Sequence, residues 1–270
     1  MSHPQLPAEL LDYIVDFLQD DKYALGRCCL VSKSWITRTR KHLFAEVWFF
    51  RSANLQSWKK TFSDPSTSPA CYVNSLFVHC PEAAIAADAT DGGWIPTFSS
   101  LACLEVDTRG CYEPNLSLAP FHGFSHTVKT LCVLSVDFST SHILDLACSF
   151  PLLESLTVYK FNDASFYEDG RLDMQPTPFQ PSSAPAFTGL LEAHVDRGLS
   201  PLISQLLSLP IGLRFQRLTL TWSRVEDISL TMELVERCCF TLKSLSIDCK
   251  LSGMFVSRVY PRPRLTFLYR

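Results

Sequence analysis

A pattern of three apolar positions, apolar-x-x-apolar-x-apolar, recurs along most of the chain. The first positions of successive copies are 28, 30, 22, 37, 25 and 27 residues apart. Because the last two apolar positions are two residues apart, each copy predicts a short strand with one face toward a core. The copies are Val73/Leu76/Val78, Leu101/Leu104/Val106, Leu131/Leu134/Val136, Leu153/Leu156/Val158, a weaker Leu190/Ala193/Val195, Phe215/Leu218/Leu220 and Leu242/Leu245/Ile247.

Segments with the spacing of amphipathic helices lie between several of these copies. Helices are predicted in residues 141–150, from Ser200 onward and in residues 229–239. Ser200 is expected to be an N-cap, with Pro201 in the first turn. Strands that alternate with helices at intervals mostly near 20–29 residues are typical of leucine-rich repeats, which place parallel strands on the concave side. The alternative is an ordinary α/β domain with a parallel sheet.

The first forty residues predict three short helices. A second apolar pattern starts at Leu25, and Ser32 or Ser34 can cap a third helix that carries Trp35. Three short helices bury little surface by themselves, so such a unit requires a partner surface. The first helix has an amphipathic stripe formed by Leu10, Leu11, Ile14, Phe17 and Leu18.

These N-terminal residues resemble a known motif. The order Leu6-Pro7-x-Glu9-Leu10-Leu11-x-x-Ile14-x-x-Phe17-Leu18, then Leu25, Cys28 and Leu30-Val31-Ser32-Lys33-x-Trp35, is similar to the F-box over roughly residues 5–44. Further along, residues 150–156 resemble the repeat starts found behind many F-boxes in large fungal families. The fold class expected is therefore α/β, with an N-terminal three-helix F-box and an irregular solenoid like that of leucine-rich repeats behind it.

The resemblance implies a function. F-boxes dock on the Skp adaptor, which links them to a cullin–RING ubiquitin ligase, and the physical mode is an apolar helix face in a groove. The alternative is that these apolar side chains only pack against the rest of the chain. The contact residues that carry over from the family are Leu6, Pro7, Leu10, Leu11, Ile14, Leu18, Leu25, Cys28, Val31 and Trp35.

The remaining sequence suggests three parts: an F-box in residues 1–50, a linker in 51–70 and a substrate-recognition module in 71–270. Residues 43–50 are dense in aromatic side chains and can form a strand that starts the core of the second module. The segment 162–188 is rich in Pro and Ser and predicts a loop. Candidates for the substrate face, chosen by their place between the last two apolar positions of a copy, are Glu105, Ser135, Thr157, Thr219 and Ser246.

Composition narrows the class of protein further. The net charge of −3 and the pI near 6.2 do not favour nucleic-acid binding. The 11 cysteines are not spaced as C-x-x-C, and most stand among apolar residues, which favours a reducing compartment. No signal peptide or membrane span is recognised in the sequence. We therefore expect a cytoplasmic or nuclear protein, or one found in both.

Catalytic motifs are absent from the sequence. It contains no phosphate loop, no G-x-G-x-x-G and no G-x-S-x-G, and the cysteines and histidines have no zinc spacing. The expected protein is thus no enzyme and needs no cofactor. It is a substrate-recognition adaptor of an SCF-type ubiquitin ligase, with an unknown protein substrate and no nucleic-acid or membrane partner. Two alternatives remain open: an F-box and repeat scaffold outside ubiquitin ligation, and an enzyme whose site is dispersed in the α/β part.

Overall fold

The chain forms an α/β structure built on one long sheet. The computed structural model describes residues 7–64, 66–79, 97–109, 119–124, 126–135, 139–160, 185–196, 198–210, 212–222, 224–249 and 265–268. Leu6, Val136 and most of the predicted loop at 162–188 lie outside these residues. No helix within the described ranges has the length and apolar character that crossing a bilayer requires.

The described residues form nine strands of this sheet, which follow one another in the order of the sequence. All neighbouring pairs from the first strand to the eighth are parallel, and the ninth strand is antiparallel to the eighth. The strands are β1 (Glu46–Phe49), β2 (Ser75–His79), β3 (Cys103–Asp107), β4 (Thr130–Ser135), β5 (Ser155–Lys160), β6 (Leu190–Val195), β7 (Arg217–Trp222), β8 (Ser244–Cys249) and β9 (Leu265–Leu268).

Helices precede and connect these strands. A parallel pair of strands cannot be joined by a tight turn, so each connection must cross back over the sheet, and helices occupy several of these crossings. The α-helices are α1 (Ala8–Phe17), α2 (Lys22–Val31), α3 (Lys33–Leu43), α4 (Ser52–Thr61), α5 (Thr140–Cys148), α6 (Ser200–Leu207) and α7 (Asp227–Cys238). Short 3₁₀ helices span Pro69–Tyr72 and Ala119–Phe124.

The hydrophobic core lies between one face of the sheet and the helices that cover it. Along each strand from β1 to β7, buried side chains alternate with more exposed ones, as expected for a sheet with one covered face. One buried row runs across the strands through Val47, Leu76, Leu104, Leu131, Leu156, Leu191 and Leu218. Against this face pack the buried side chains Ile143, Leu144, Leu202, Ile203, Leu206 and Leu234 of α5, α6 and α7.

The register corrects two of the predicted copies. Leu131 pairs with Leu104, and Val133 pairs with Val106, so the third copy is Val128/Leu131/Val133 and starts three residues earlier than predicted. In β6 the last two positions of the copy are Leu191 and Ala193 rather than the predicted Ala193 and Val195, so Leu191 continues the buried row. Both errors have one cause: consecutive apolar residues at these sites fit the pattern in more than one register.

A long interval of 35 residues separates Leu156 from Leu191, whereas the other intervals along this row are 25 to 29 residues. Despite this long interval, β6 pairs with β5 in register, and the residue directly before β6 is a glycine. A Cβ atom at Gly189 would lie 2.2 Å from Ser155 Oγ and 2.9 Å from the carbonyl oxygen of Glu154. The amide of Leu190 donates instead to Ser155 Oγ at 3.0 Å, so a residue without a side chain is required for this close approach.

A buried carboxylate joins the last two helices. Asp227, the first residue of α7, is fully buried, and its Oδ1 accepts from the amides of Leu199 and Ser200 at 2.7 and 2.9 Å. The hydroxyl of Ser200 and the amide of Arg224 also donate to this carboxylate. The predicted N-cap at Ser200 is therefore wrong: α6 starts at Ser200 itself, and a side chain from the next repeat accepts its free N–H groups.

The predicted boundaries at residues 50 and 70 do not separate structural units. Strand β1 lies inside the predicted F-box range, yet it pairs with β2 as part of the sheet. The predicted linker contains α4, whose Leu55 is fully buried and whose Trp58 packs on the core. Apolar side chains at these positions supply the burial that a solvated linker would lack, so the sheet and its core begin near residue 44.

Candidate functional site

Two surfaces formed by the described residues expose side chains that do not pack in the hydrophobic core. The first is on the N-terminal helices, and the second is the face of the sheet opposite the core, here called the open sheet face.

Helix α1 has an apolar stripe that no other described element covers. Leu10, Tyr13, Ile14 and Phe17 are 50, 71, 39 and 81 % exposed. Their spacing of three and four residues places them on one side of the helix. The opposite side holds the helix in place through Val15, which is 1 % exposed. We call the four exposed residues the α1 stripe.

Helix α2 adds further exposed apolar side chains. Leu30, Val31 and Tyr23 are exposed. Tyr23 lies on the side of α2 opposite the buried Leu25. The guanidinium of Arg27 lies 4.7 Å from the centre of the Tyr23 ring, which covers one side of that ring. The N-terminal unit thus exposes large apolar side chains on two of its helices, a feature that is typical of a docking surface.

The residues predicted to contact the Skp adaptor do not all reach the surface. Pro7, Leu10, Ile14 and Val31 are exposed, Leu11, Leu18 and Trp35 are half-buried, and Leu25 and Cys28 are buried among the three helices. Leu25 and Cys28 therefore support the unit from within. Tyr13, Phe17, Tyr23 and Leu30 are exposed apolar residues that the predicted set lacks.

An ion-pair group fixes α1 on α3. The Asp16 carboxylate accepts from Arg38 through both its oxygens and lies 2.7 Å from His42 Nε2. The hydrogen bonds from Arg38 and then from His42 hold the pKa of Asp16 well below its ordinary value. Lys22 Nζ donates to the carbonyl oxygen of His42 at 2.7 Å and links the start of α2 to α3. These contacts orient α1 so that its apolar stripe faces away from the rest of the unit.

The open sheet face is mostly polar, but it begins with aromatic rings. The Trp48 ring is stacked with both Phe50 and Phe77, with ring centres 5.5 and 3.7 Å away, and it is parallel to Phe77 within 4°. Trp48 is 46 % exposed and Phe50 is 57 % exposed. These three rings are here called the aromatic stack. Trp48 lies on β1, Phe50 directly follows β1, and Phe77 lies on β2, which pairs with β3.

A first polar group follows on β2 and β3. The Asp107 carboxylate accepts from Arg109 Nε and from a terminal guanidinium nitrogen at 3.0 and 2.8 Å, and it lies 2.8 Å from His79 Nδ1. Burial raises the pKa of Asp107, but the hydrogen bonds from Arg109 and His79 outweigh it, so this pKa lies below the ordinary value. Glu105 differs: burial, together with the charge of Asp107, raises its pKa.

A second polar group lies on β5, β6 and β7. Tyr159 donates to Glu192 Oε1 at 2.7 Å, and His194 Nε2 lies 3.2 Å from the same oxygen. The rings of Tyr159 and His194 are stacked with centres 4.6 Å apart, and Thr221 Oγ1 lies 2.5 Å from His194 Nδ1. Burial and the hydrogen bond to Glu192 raise the pKa of Tyr159. One oxygen of Glu192 and both ring nitrogens of His194 therefore have partners within this group.

Four of the five predicted substrate-face residues share one row of the open sheet face. Glu105, Thr157, Thr219 and Ser246 lie in register, together with Trp48, Phe77, Cys132 and Glu192. Ser135 does not belong to this row, because the corrected register of β4 turns it to the core side, where it is buried. Its place in the row is taken by Cys132, whose pKa burial raises to about 12.

Within the described ranges, no group of three or more His, Cys, Asp or Glu side chains is arranged to hold a metal ion. No known family model matches the chain, and a search of curated proteins found no match either.

Proposed function

We propose that the chain is a substrate-recognition adaptor of an SCF-type cullin–RING ubiquitin ligase. In this proposal the N-terminal helices are an F-box that binds the Skp adaptor, and the strands with their helices are a module like that of leucine-rich repeats, which binds a protein substrate. The chemistry of ubiquitin transfer then belongs to other subunits, and this chain contributes proximity alone.

The α1 stripe is the observation that carries the proposal. A helix that exposes four large apolar side chains on one side fits the recognition mode in which an amphipathic helix lies in a groove. Phe17 alone, at 81 % exposure, would bury more than about 100 Å² of apolar surface, which corresponds to about 3 kcal/mol. The stripe as a whole can therefore supply a large part of the roughly 8 kcal/mol that a micromolar complex requires.

A pull-down with purified Skp adaptor tests this proposal with a matched pair of variants. Leu10 and Leu152 are both 50 % exposed, but only Leu10 belongs to the α1 stripe. Leu10→Asp should abolish micromolar binding, because burying an unpaired carboxylate in an apolar groove costs several kcal/mol. Leu152→Asp should bind like the wild-type chain.

Two results would contradict the docking proposal. One is a folded wild-type chain that does not bind the adaptor at tens of micromolar; the other is an equal loss of binding in both variants. Co-purification of a cullin with the wild-type chain separates the ligase adaptor from a scaffold that uses the same surface outside ubiquitin ligation.

A further inference from the structure

The open sheet face carries an aromatic stack next to Glu105, whose carboxylate has no hydrogen bond or ion pair with the residues that the structure describes. We propose that this part of the face binds an arginine side chain of a protein segment, with the guanidinium lying against Phe77 and pairing with Glu105. This inference rests on the proposed function in one respect, because it names the chemistry of the substrate that the repeat module would recognise.

In the aromatic stack, the face of Phe77 that is turned toward β3 is not stacked on another described ring. Trp48 is already stacked with two rings, whereas the ring that Phe77 contacts within the described residues is Trp48, on its β1 side. The other side of Phe77 faces β3, where its direct partner in the register is Glu105. Neighbouring strands are about 4.8 Å apart, so a planar cation placed there would lie against the ring and within reach of the carboxylate.

Glu105 is the carboxylate of the open sheet face that lies directly beside Phe77 in the register. It makes no hydrogen bond and no ion pair with any described residue. Burial and then the charge of Asp107 raise its pKa, and the charge of Arg109 offsets only part of this rise. Asp107 is already bound to Arg109 and His79, and Glu192 already accepts from Tyr159. A cation from a ligand would remove the unfavourable burial of the Glu105 charge, so this position favours a positive group.

The charges on the open sheet face also favour a positively charged partner. Of the strand residues described on this face, only Arg217 carries a full positive charge, and the guanidinium of Arg109, directly after β3, is already paired with Asp107. Phosphate-rich ligands such as nucleic acids are disfavoured by such a surface, whereas a basic protein segment is complementary to it. The carboxylates on these strands are Glu46, Glu105, Asp107, Glu192 and Asp248.

Arginine fits this site better than lysine. Its guanidinium is planar and weakly hydrated, stacks on aromatic rings and binds a carboxylate through two parallel hydrogen bonds. A lysine ammonium is a compact, strongly hydrated charge that gains little from the ring. The site should therefore discriminate between two peptides of equal charge.

Fluorescence anisotropy with three short labelled peptides tests the inference on the full chain. The peptides alternate Ser with Arg, Ser with Lys or Ser with Glu, at physiological salt. We expect the Arg peptide to bind several-fold more tightly than the Lys peptide and the Glu peptide not to bind. Glu105→Gln and Phe77→Leu should each weaken binding of the Arg peptide about tenfold. Glu192→Gln, which alters a carboxylate in the same row whose oxygen is already occupied, should change it less than about twofold.

The outcomes separate this inference from the docking proposal. Glu105→Gln should leave capture by the Skp adaptor unchanged, and Leu10→Asp should leave binding of the Arg peptide unchanged. The inference is overturned if the wild-type chain does not bind the Arg peptide at millimolar concentration. Equal binding by Glu105→Gln and wild type, or binding of the Glu peptide with the same affinity, would overturn it as well.

Discussion

Replacing Asp227 by Ala should destabilise the protein more than any surface substitution, because this carboxylate accepts the free N–H groups at the start of a neighbouring helix. Four donors converge on it: the amides of Leu199, Ser200 and Arg224 and the hydroxyl of Ser200. Asp227 is fully buried and Leu199 is fully buried, so water cannot replace the lost acceptor without opening the structure.

The magnitude follows from the donors that would be left unsatisfied. The Ser200 hydroxyl can rotate to another acceptor, and Arg224 is exposed enough for its amide to be hydrated. The amides of Leu199 and Ser200 remain, and each buried donor without an acceptor costs about 1–3 kcal/mol. We therefore expect a loss of about 3 kcal/mol, a large fraction of the 5–15 kcal/mol that typically stabilises a domain. The corresponding change in Tm is about 6–12 °C.

Urea unfolding followed by far-UV circular dichroism measures this loss. The control is Asp145→Ala on α5, whose side chain is 65 % exposed and whose loss should change stability by less than about 0.5 kcal/mol. Asp227→Asn should show an intermediate loss, because one amide oxygen still accepts while the NH₂ group meets a donor. A value for Asp227→Ala within about 0.5 kcal/mol of wild type would refute the capping argument.

Two further predictions concern the charge and the thiols of the described residues. Because the pKa of Asp16 is lowered in the folded state, its contribution to stability is present above its ordinary value of 3.8 and is lost as the pH falls below it. Acid titration followed by circular dichroism should therefore show a weaker pH dependence below about pH 4 for Asp16→Asn, and an unchanged profile would contradict this role. Alkylation by iodoacetamide at pH 8, followed by mass spectrometry, should modify the exposed Cys239 well before Cys132, whose pKa burial raises to about 12. Equal labelling of both cysteines in the native protein would show that Cys132 is not protected by burial.

The α/β class and most of the helices could be predicted because they depend on periodicity, whereas α4 lies in the predicted linker. The spacing of apolar residues indicated α1, α5, α6 and α7, and most strands followed from the repeated pattern. The copy at Phe44/Val47/Phe49 was not recognised as a repeat, although it matches the pattern and starts 29 residues before Val73. The aromatic density of residues 43–50 suggested a strand. The repeat pattern would also have predicted where the sheet starts and where the helical unit ends.

Register and exposure could not be predicted in the same way. In residues 128–136, two alignments fit the apolar pattern equally well, and only the pairing of Leu131 with Leu104 decides between them. The wrong alignment placed the buried Ser135 on the open face. Likewise, Leu10 and Leu25 both match the motif, yet one is half exposed and the other fully buried. Such differences arise from contacts between elements, which one sequence does not contain.

The connection between the two surfaces is short, and this has a consequence for the proposed adaptor. Helix α3 ends at Leu43 and β1 begins at Glu46, while Phe44 between them packs edge to face on Trp58, with ring centres 5.9 Å apart. Arg40 donates to the carbonyl oxygen of Thr67 at 3.1 Å and so attaches α3 to the segment that enters β2. A flexible linker would let a substrate take many positions relative to the α1 stripe, at a lower effective concentration for each one. Here the sheet begins within two residues of the helical unit, so a partner on α1 and a protein on the open sheet face would keep a defined separation. In the proposed adaptor, such a separation would raise the effective concentration of the substrate near the ligase, which is the physical reason to consider the two surfaces as parts of one function.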